Sequence, residues 1–203
     1  MLHLPEGLPP PNAPDFVEAV AEQVRKLTAL TEGRAFVLFT SYRNLEACWA
    51  LLQNLPYPTL KQGDAPRRAL LRTFKETPNA VLFATASFWE GVDVAGDALS
   101  LVIIDKLPFE SPKDPILQAR MAAMKAAGGS PFGSIQAPAA ALALKQGFGR
   151  LIRTATDRGI VAILDERLRS RGYGKVMLRA LPPAPVVDFD ALQVWWRGGR
   201  ASA

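Results

Sequence analysis

Two arginines, Arg150 and Arg153, stand three residues apart in the segment Gln146-Gly147-Phe148-Gly149-Arg150-Leu151-Ile152-Arg153. On a helix that spacing puts both guanidiniums on one face, with Gln146 a turn earlier on the same face. Two planar, permanently charged forks held together can grip a phosphoryl group and neutralise the charge that develops as it is transferred. Gly149 lets another backbone come close. The surroundings are basic. Residues 145–179 carry nine Lys/Arg against three Asp/Glu, and the balance is −2 over residues 1–100 but +7 over 101–203. Such a half suits a polyanion, either nucleotide phosphate or nucleic-acid backbone, although an arginine-rich solvated helix would have the same composition.

These side chains need a frame. Four apolar runs, Ala35–Phe39, Ala80–Ala84, Leu101–Asp105 and Gly159–Leu164, are nearly continuous in Val, Ile, Leu and Phe. Unbroken runs of this kind fit strands covered on both faces, and helical patterns lie between them. A short fifth strand is expected near Tyr57–Leu60. The fold class is therefore α/β, a mostly parallel sheet with helices on both faces. Residues 1–14, with Leu8-Pro9-Pro10-Pro11, read as a Pro-rich connector, and residues 15–203 as the domain. Residues 107–144, rich in Pro, Ala and Gly, read as a helical insert away from the sheet. One helix is expected over Arg167–Arg179.

Ligands of open parallel sheets bind beyond the carboxyl ends of the strands. The polar residues there are Thr40-Ser41-Tyr42, Thr85 to Asp93, Lys106 to Phe109, and Asp165-Glu166-Arg167. Two patterns mislead. Ala162 to Glu166 mimics a magnesium-binding Walker B strand, but no G-x-x-x-x-G-K-[ST] loop accompanies it, so Asp165 and Glu166 read as a strand end and a helix start. Gly147-Phe148-Gly149 begins like a dinucleotide fingerprint but continues with Ile152. His3 is the only histidine and Cys48 the only cysteine, which leaves no Ser–His dyad, internal disulfide or cysteine-built metal site. No run approaches the ~18–20 apolar residues of a membrane span, and the first residues do not resemble a secretory signal, so a cytoplasmic protein without membrane contact is expected.

With these residues in view, a resemblance emerges. Gln146 to Arg153 resembles motif VI of superfamily 2 helicases, in the Q-x-x-G-R-x-I-R form of the DinG/XPD group. Ser87-Phe88-Trp89-Glu90-Gly91-Val92-Asp93 is similar to that group's motif V, and Leu38-Phe39-Thr40-Ser41-Tyr42 to its motif IV. Leu107-Pro108-Phe109 with Asp114-Pro115 also resembles the family.

The resemblance implies a RecA-like, P-loop NTPase-like domain that lacks its own Walker A and B elements, the second motor domain of an ATP-dependent DNA helicase of repair or replication, moving 5′ to 3′. It implies that Arg150 and Arg153 act as arginine fingers on ATP held with Mg2+ by an N-terminal RecA-like domain of the same protein. Gln146, Gly149, Glu90, Gly91 and Asp93 would line that cleft. Thr40, Ser41, Ser87 and Trp89 would border single-stranded DNA. Trp89 reads equally well as core packing; for Glu90 and Asp93 the lesser alternative is a capped turn after a strand. An iron–sulfur cluster, carried by many members, would belong to the parent's first domain and not to this chain. A stand-alone nucleic-acid-binding module without ATP coupling remains the alternative.

Overall fold

Every residue of the strand Ala35–Phe39 is buried, and its side chains divide between two cores. Phe36 and Leu38 point into one, Ala35, Val37 and Phe39 into the other, as the two-residue period of a strand requires. That division explains the unbroken apolar run: neither face meets water. The computed structural model describes residues 1–85, 88, 94, 98–110, 114–151 and 158–199, with the backbone alone at 147 and 149–151.

The strands are β1 (Leu2–His3), β2 (Ala35–Phe39), β3 (Thr59–Lys61), β4 (Val81–Thr85), β5 (Leu101–Ile104), β6 (Ile160–Ile163) and β7 (Val186–Val187). They form one sheet in the order β3-β4-β2-β5-β6-β1-β7, and every described pairing is parallel. The helices are α1 (Phe16–Thr31), α2 (Tyr42–Leu51), α3 (Arg67–Glu76), α4 (Pro115–Ala126), α5 (Ala137–Leu151), α6 (Arg167–Ser170), α7 (Gly172–Ala180) and α8 (Phe189–Gly198). α1, α2 and α8 cover one face through Val20, Val24, Leu45, Cys48 and Leu192. α3, α5, α6 and α7 cover the other through Phe74, Leu144, Phe148, Leu168 and Met177. α1 stops where Glu32 and Gly33 turn left-handed, at φ 57° and 74°, and a Cβ on Gly33 would lie 2.0 Å from the Asn79 carbonyl oxygen.

The structure corrects three expectations. Residues 1–14 are not a detached connector: Leu2–His3 forms β1 between β6 and β7, and Leu4 and Leu8 are buried. Two residues paired to strands more than 150 positions away leave no periodic trace. Residues 107–144 are not wholly an excursion, because Ala140, Leu144 and Phe148, spaced by four, bury one face of α5 against β5 and β6. The expected single helix over Arg167–Arg179 is two, broken where Arg171 turns extended at ψ 145°. Gly174 permits the break, since a Cβ there would lie 2.3 Å from the Leu168 carbonyl oxygen.

Candidate nucleic-acid and nucleotide interface

At the carboxyl end of β2 the chain turns through Thr40 and Ser41 into α2. Ser41 caps that helix, its Oγ accepting from the Asn44 amide at 3.3 Å. The turn is tied to the next strand by Asp105. Its Oδ1 accepts from the amides of Thr40 (2.9 Å) and Lys106 (2.8 Å), and its Oδ2 from the Asn44 side-chain amide (3.1 Å). The carboxyl is fully buried, and that burial pushes its pKa up to about 6, against the pull of Asn44, Lys106 and Thr40. Thr40 Oγ1 is buried and has no hydrogen-bond partner among the described residues. A groove of about 770 Å³ opens alongside, lined by Ser41, Arg43, Asn44 and Lys106 together with Asn12 and Glu18. Two cations, a hydroxyl and two amides are donors suited to phosphodiester oxygens.

The buried Asp105 makes stability depend on pH in a defined sense. Its folded pKa of about 6 exceeds its unfolded value of 3.8, so between them the folded state holds a proton that the unfolded state has released. Stability therefore falls as pH rises through this window, by at most about 3 kcal/mol at ~1.36 kcal/mol per pKa unit. Asp105→Asn keeps an acceptor for the Thr40 and Lys106 amides and removes the titration. Urea midpoints at about pH 4.5 and 7.5 should differ less in the variant than in the parent. Equal differences in both would remove Asp105 as the cause.

One strand further, Asp165 is anchored in the same way. Its Oδ2 accepts from the Leu107 amide (2.8 Å) and Arg167 Nη2 (2.7 Å), its Oδ1 from the Arg167 amide (3.0 Å) and Nε (2.9 Å). This filled carboxylate has no free side for magnesium, and Glu166 precedes α6 in the open, so the strand-end and helix-start reading holds. Among the described residues, no group of His, Cys, Asp and Glu could hold a metal ion, and no helix is long and apolar enough to cross a membrane.

The arginine segment lies elsewhere. α5 follows a π-helical turn, Phe132–Gln136, whose Phe132 ring lies 5.4 Å from that of Phe109, just past the carboxyl end of β5. From there α5 runs ~22 Å, at 1.5 Å per residue, back across the sheet toward the start of β6. Gln146 is exposed near its far end, and the helix backbone continues through Gly149 and Arg150. Thr40 and Ser41 thus share one edge with Asp105, and Gln146 is carried toward the other. The expected site residues Ser87, Trp89, Glu90, Gly91, Asp93 and Arg153 lie outside the described residues. Their neighbours Phe88 and Val94 are buried, and Arg67 donates to the Phe88 carbonyl at 2.8 Å. Asp105, Asn44 and Arg43 were not singled out by sequence. Their only signal there was position, at a strand end and in a first helical turn.

Residues 24–184 match the family model described as the helicase C-terminal domain. The chain belongs to that family. Among curated relatives, this helicase C-terminal domain is 48% identical over 180 residues to the ATP-dependent DNA helicase YoaA of Escherichia coli (strain K12), covering 88% of this chain and 28% of that protein. It is 42% identical over 186 residues to the ATP-dependent helicase DinG of Mycobacterium tuberculosis (strain ATCC 25618 / H37Rv), covering 90% of this chain and again 28% of the relative. A solved XPD helicase structure superposes with a TM-score of 0.71 at 18% identity, over 93% of this chain and 35% of that one. The fold is RecA-like, shared with that solved XPD helicase structure. The helicase C-terminal domain spans 28% of the length of either curated relative.

Proposed function

We propose that this helicase C-terminal domain is the second motor domain of an ATP-dependent DNA helicase that moves 5′ to 3′. The observation that carries the reading is its identity to two proteins named as ATP-dependent helicases, over about nine-tenths of its own length but 28% of theirs. A motor of this kind needs a second nucleotide-holding domain, and that share of the relatives leaves room for one. ATP and Mg2+ would sit mainly on that first domain. The described residues fit a facing surface better than a holding one, since the single Walker B-like carboxylate, Asp165, is filled by N–H donors.

In this reading Arg150 and Arg153 meet the β- and γ-phosphates when the two domains close and stabilise charge as water attacks in line. Gln146, Gly149, Glu90, Gly91 and Asp93 line the cleft. The strand runs over Thr40, Ser41, Ser87 and Trp89 and into the groove beside Arg43 and Lys106. Asp105 couples the hydroxyl turn of β2 to β5, so the track moves with the sheet.

The test is fluorescence anisotropy of a labelled oligo(dT) against this chain over a range of salt. Weak, sequence-independent binding at micromolar affinity or worse is expected, falling steeply as salt rises because released counterions drive it. Arg43→Ala and Lys106→Ala should each lower the salt slope by about 1. ATP hydrolysis by the chain alone should stay at background. Salt-insensitive binding to one sequence would contradict the reading. So would steady hydrolysis by this chain that Arg150→Ala abolishes. The groove beside Arg43 and Lys106 needs no second domain, which favours a stand-alone binding module as the second reading. An affinity for DNA that ATP leaves unchanged when a first motor domain is supplied would decide for that module.

A further inference from the structure

Three aromatic rings meet at the carboxyl edge of the sheet from places far apart in sequence: Phe109 beyond β5, Phe132 in the turn before α5, and Tyr173 in α7. The centroids of Phe109 and Phe132 are 5.4 Å apart, those of Phe109 and Tyr173 5.9 Å, and those of Phe132 and Tyr173 4.9 Å. Seven of the ten phenylalanines are buried, whereas Phe109 and Phe132 are not, and Tyr173 is also only half-buried. They line an open pocket of about 510 Å³ together with Arg167, Arg171, Gln136 and Glu110. Arg167 lies over Phe109, 5.4 Å from guanidinium carbon to ring centroid, and is clamped in place by both oxygens of Asp165.

The geometry points to a nucleobase-stacking subsite: a base enters the open pocket and stacks against the contacting rings of Phe109, Phe132 and Tyr173, and its phosphate is met by Arg171, with Arg167 held behind by Asp165. This rests on the proposed DNA track and extends it to residues not counted in it. Aromatic faces and a guanidinium plane accept any base by stacking, and Arg171, at the rim with Glu110, supplies the cation for a phosphate, since Arg167 is already paired with Asp165. The location favours a strand over a free nucleotide. β2, β5 and β6 are neighbours, so Thr40 and Asp165 end strands roughly 10 Å apart at ~4.8 Å per spacing. Asp105 joins the Thr40 turn to β5, and Asp165 joins the Leu107 turn to Arg167. One strand crossing this edge would run from the groove at Arg43 and Lys106 into the aromatic pocket within a few nucleotides.

The experiment uses this chain, oligo(dT), the same strand with abasic sites, and dTMP as competitor. The intact strand should bind roughly 5- to 100-fold tighter than the abasic one. Phe132→Leu and Tyr173→Leu should each erase most of that ratio while leaving abasic affinity unchanged. Photo-cross-linking of the unaltered chain to a 5-iododeoxyuridine strand should label residue 109, 132 or 173, a readout independent of whether any variant folds. Equal intact-to-abasic ratios in parent and folded variants, with cross-links confined to residues 40–43 and 106, would overturn the subsite and leave the DNA track standing. Competition by dTMP at the strand's own affinity would overturn the strand as occupant. No binding or cross-link to any strand would remove the track and the subsite together.

Discussion

Alanine at Arg150 or Arg153, in a full-length helicase carrying this domain, is expected to slow saturated DNA-stimulated ATP turnover by ~10³–10⁵-fold. ATP binding should weaken far less, because the first motor domain would hold most of the nucleotide. The asymmetry is the signature of a group that acts on charge present only in the transition state. Lysine should not rescue either position, since a compact ammonium cannot reproduce a planar fork. Arg169 and Arg171 serve as controls from the same basic half. Arg169 pairs with Glu6, and Arg171 lines the aromatic pocket. Their replacement should change DNA affinity or little else, and leave turnover at saturating DNA nearly intact. Normal turnover in Arg150→Ala and Arg153→Ala would make these arginines surface residues and end the finger assignment.

Phe148→Ala is expected to cost ~3–5 kcal/mol of stability, the range for truncating a large buried ring. Phe148 is 0% exposed and packs with Leu144 and Ala140 between α5 and the sheet. It lies between Gln146 and Arg150 in sequence, so the same contact that buries the ring docks the helix backbone that continues through Arg150. Phe148→Leu, which leaves a smaller void, should cost less and keep α5 seated. Urea unfolding of both variants measures the difference through midpoints at constant slope. A loss below about 1 kcal/mol for the alanine variant would mean that α5 is not held to the sheet by this ring.

Much of the frame could be read from sequence, and the reason is specific. Strands β2, β4, β5 and β6 are buried on both faces, so their residues are apolar without interruption, and the bounds expected for Ala35–Phe39 coincide with those of β2. Strands β1 and β7 have two residues each, too few to carry a period, and they exist only through pairing with distant neighbours. α5 was hidden by its alanines, which blur the contrast between a buried and an exposed face. The hydroxyls Thr40 and Ser41 were legible as polar residues at a strand end. The carboxylate that holds them was not: Asp105 looks like the last residue of its strand, and its partners lie 61 and 65 residues earlier. The aromatic pocket spans residues 109 to 173, and no local pattern joins its three rings.

The lateral placing of β1 has a mechanical consequence. Leu2 donates to the Pro185 carbonyl at 2.9 Å, and Val161 donates to the Met1 carbonyl at 3.0 Å, so the first and last stretches of the domain are stitched into one seam. The strands there are two residues long, against five in β2, and they lie at the margin of the sheet. Separating Met1–Leu2 from Val161 and Pro185 would break only a few backbone bonds, whereas β2 is held along its whole length by β4 and β5. The turns that carry Thr40, Asp105 and Phe109 follow the longer strands β2 and β5, three and two places inward from β1.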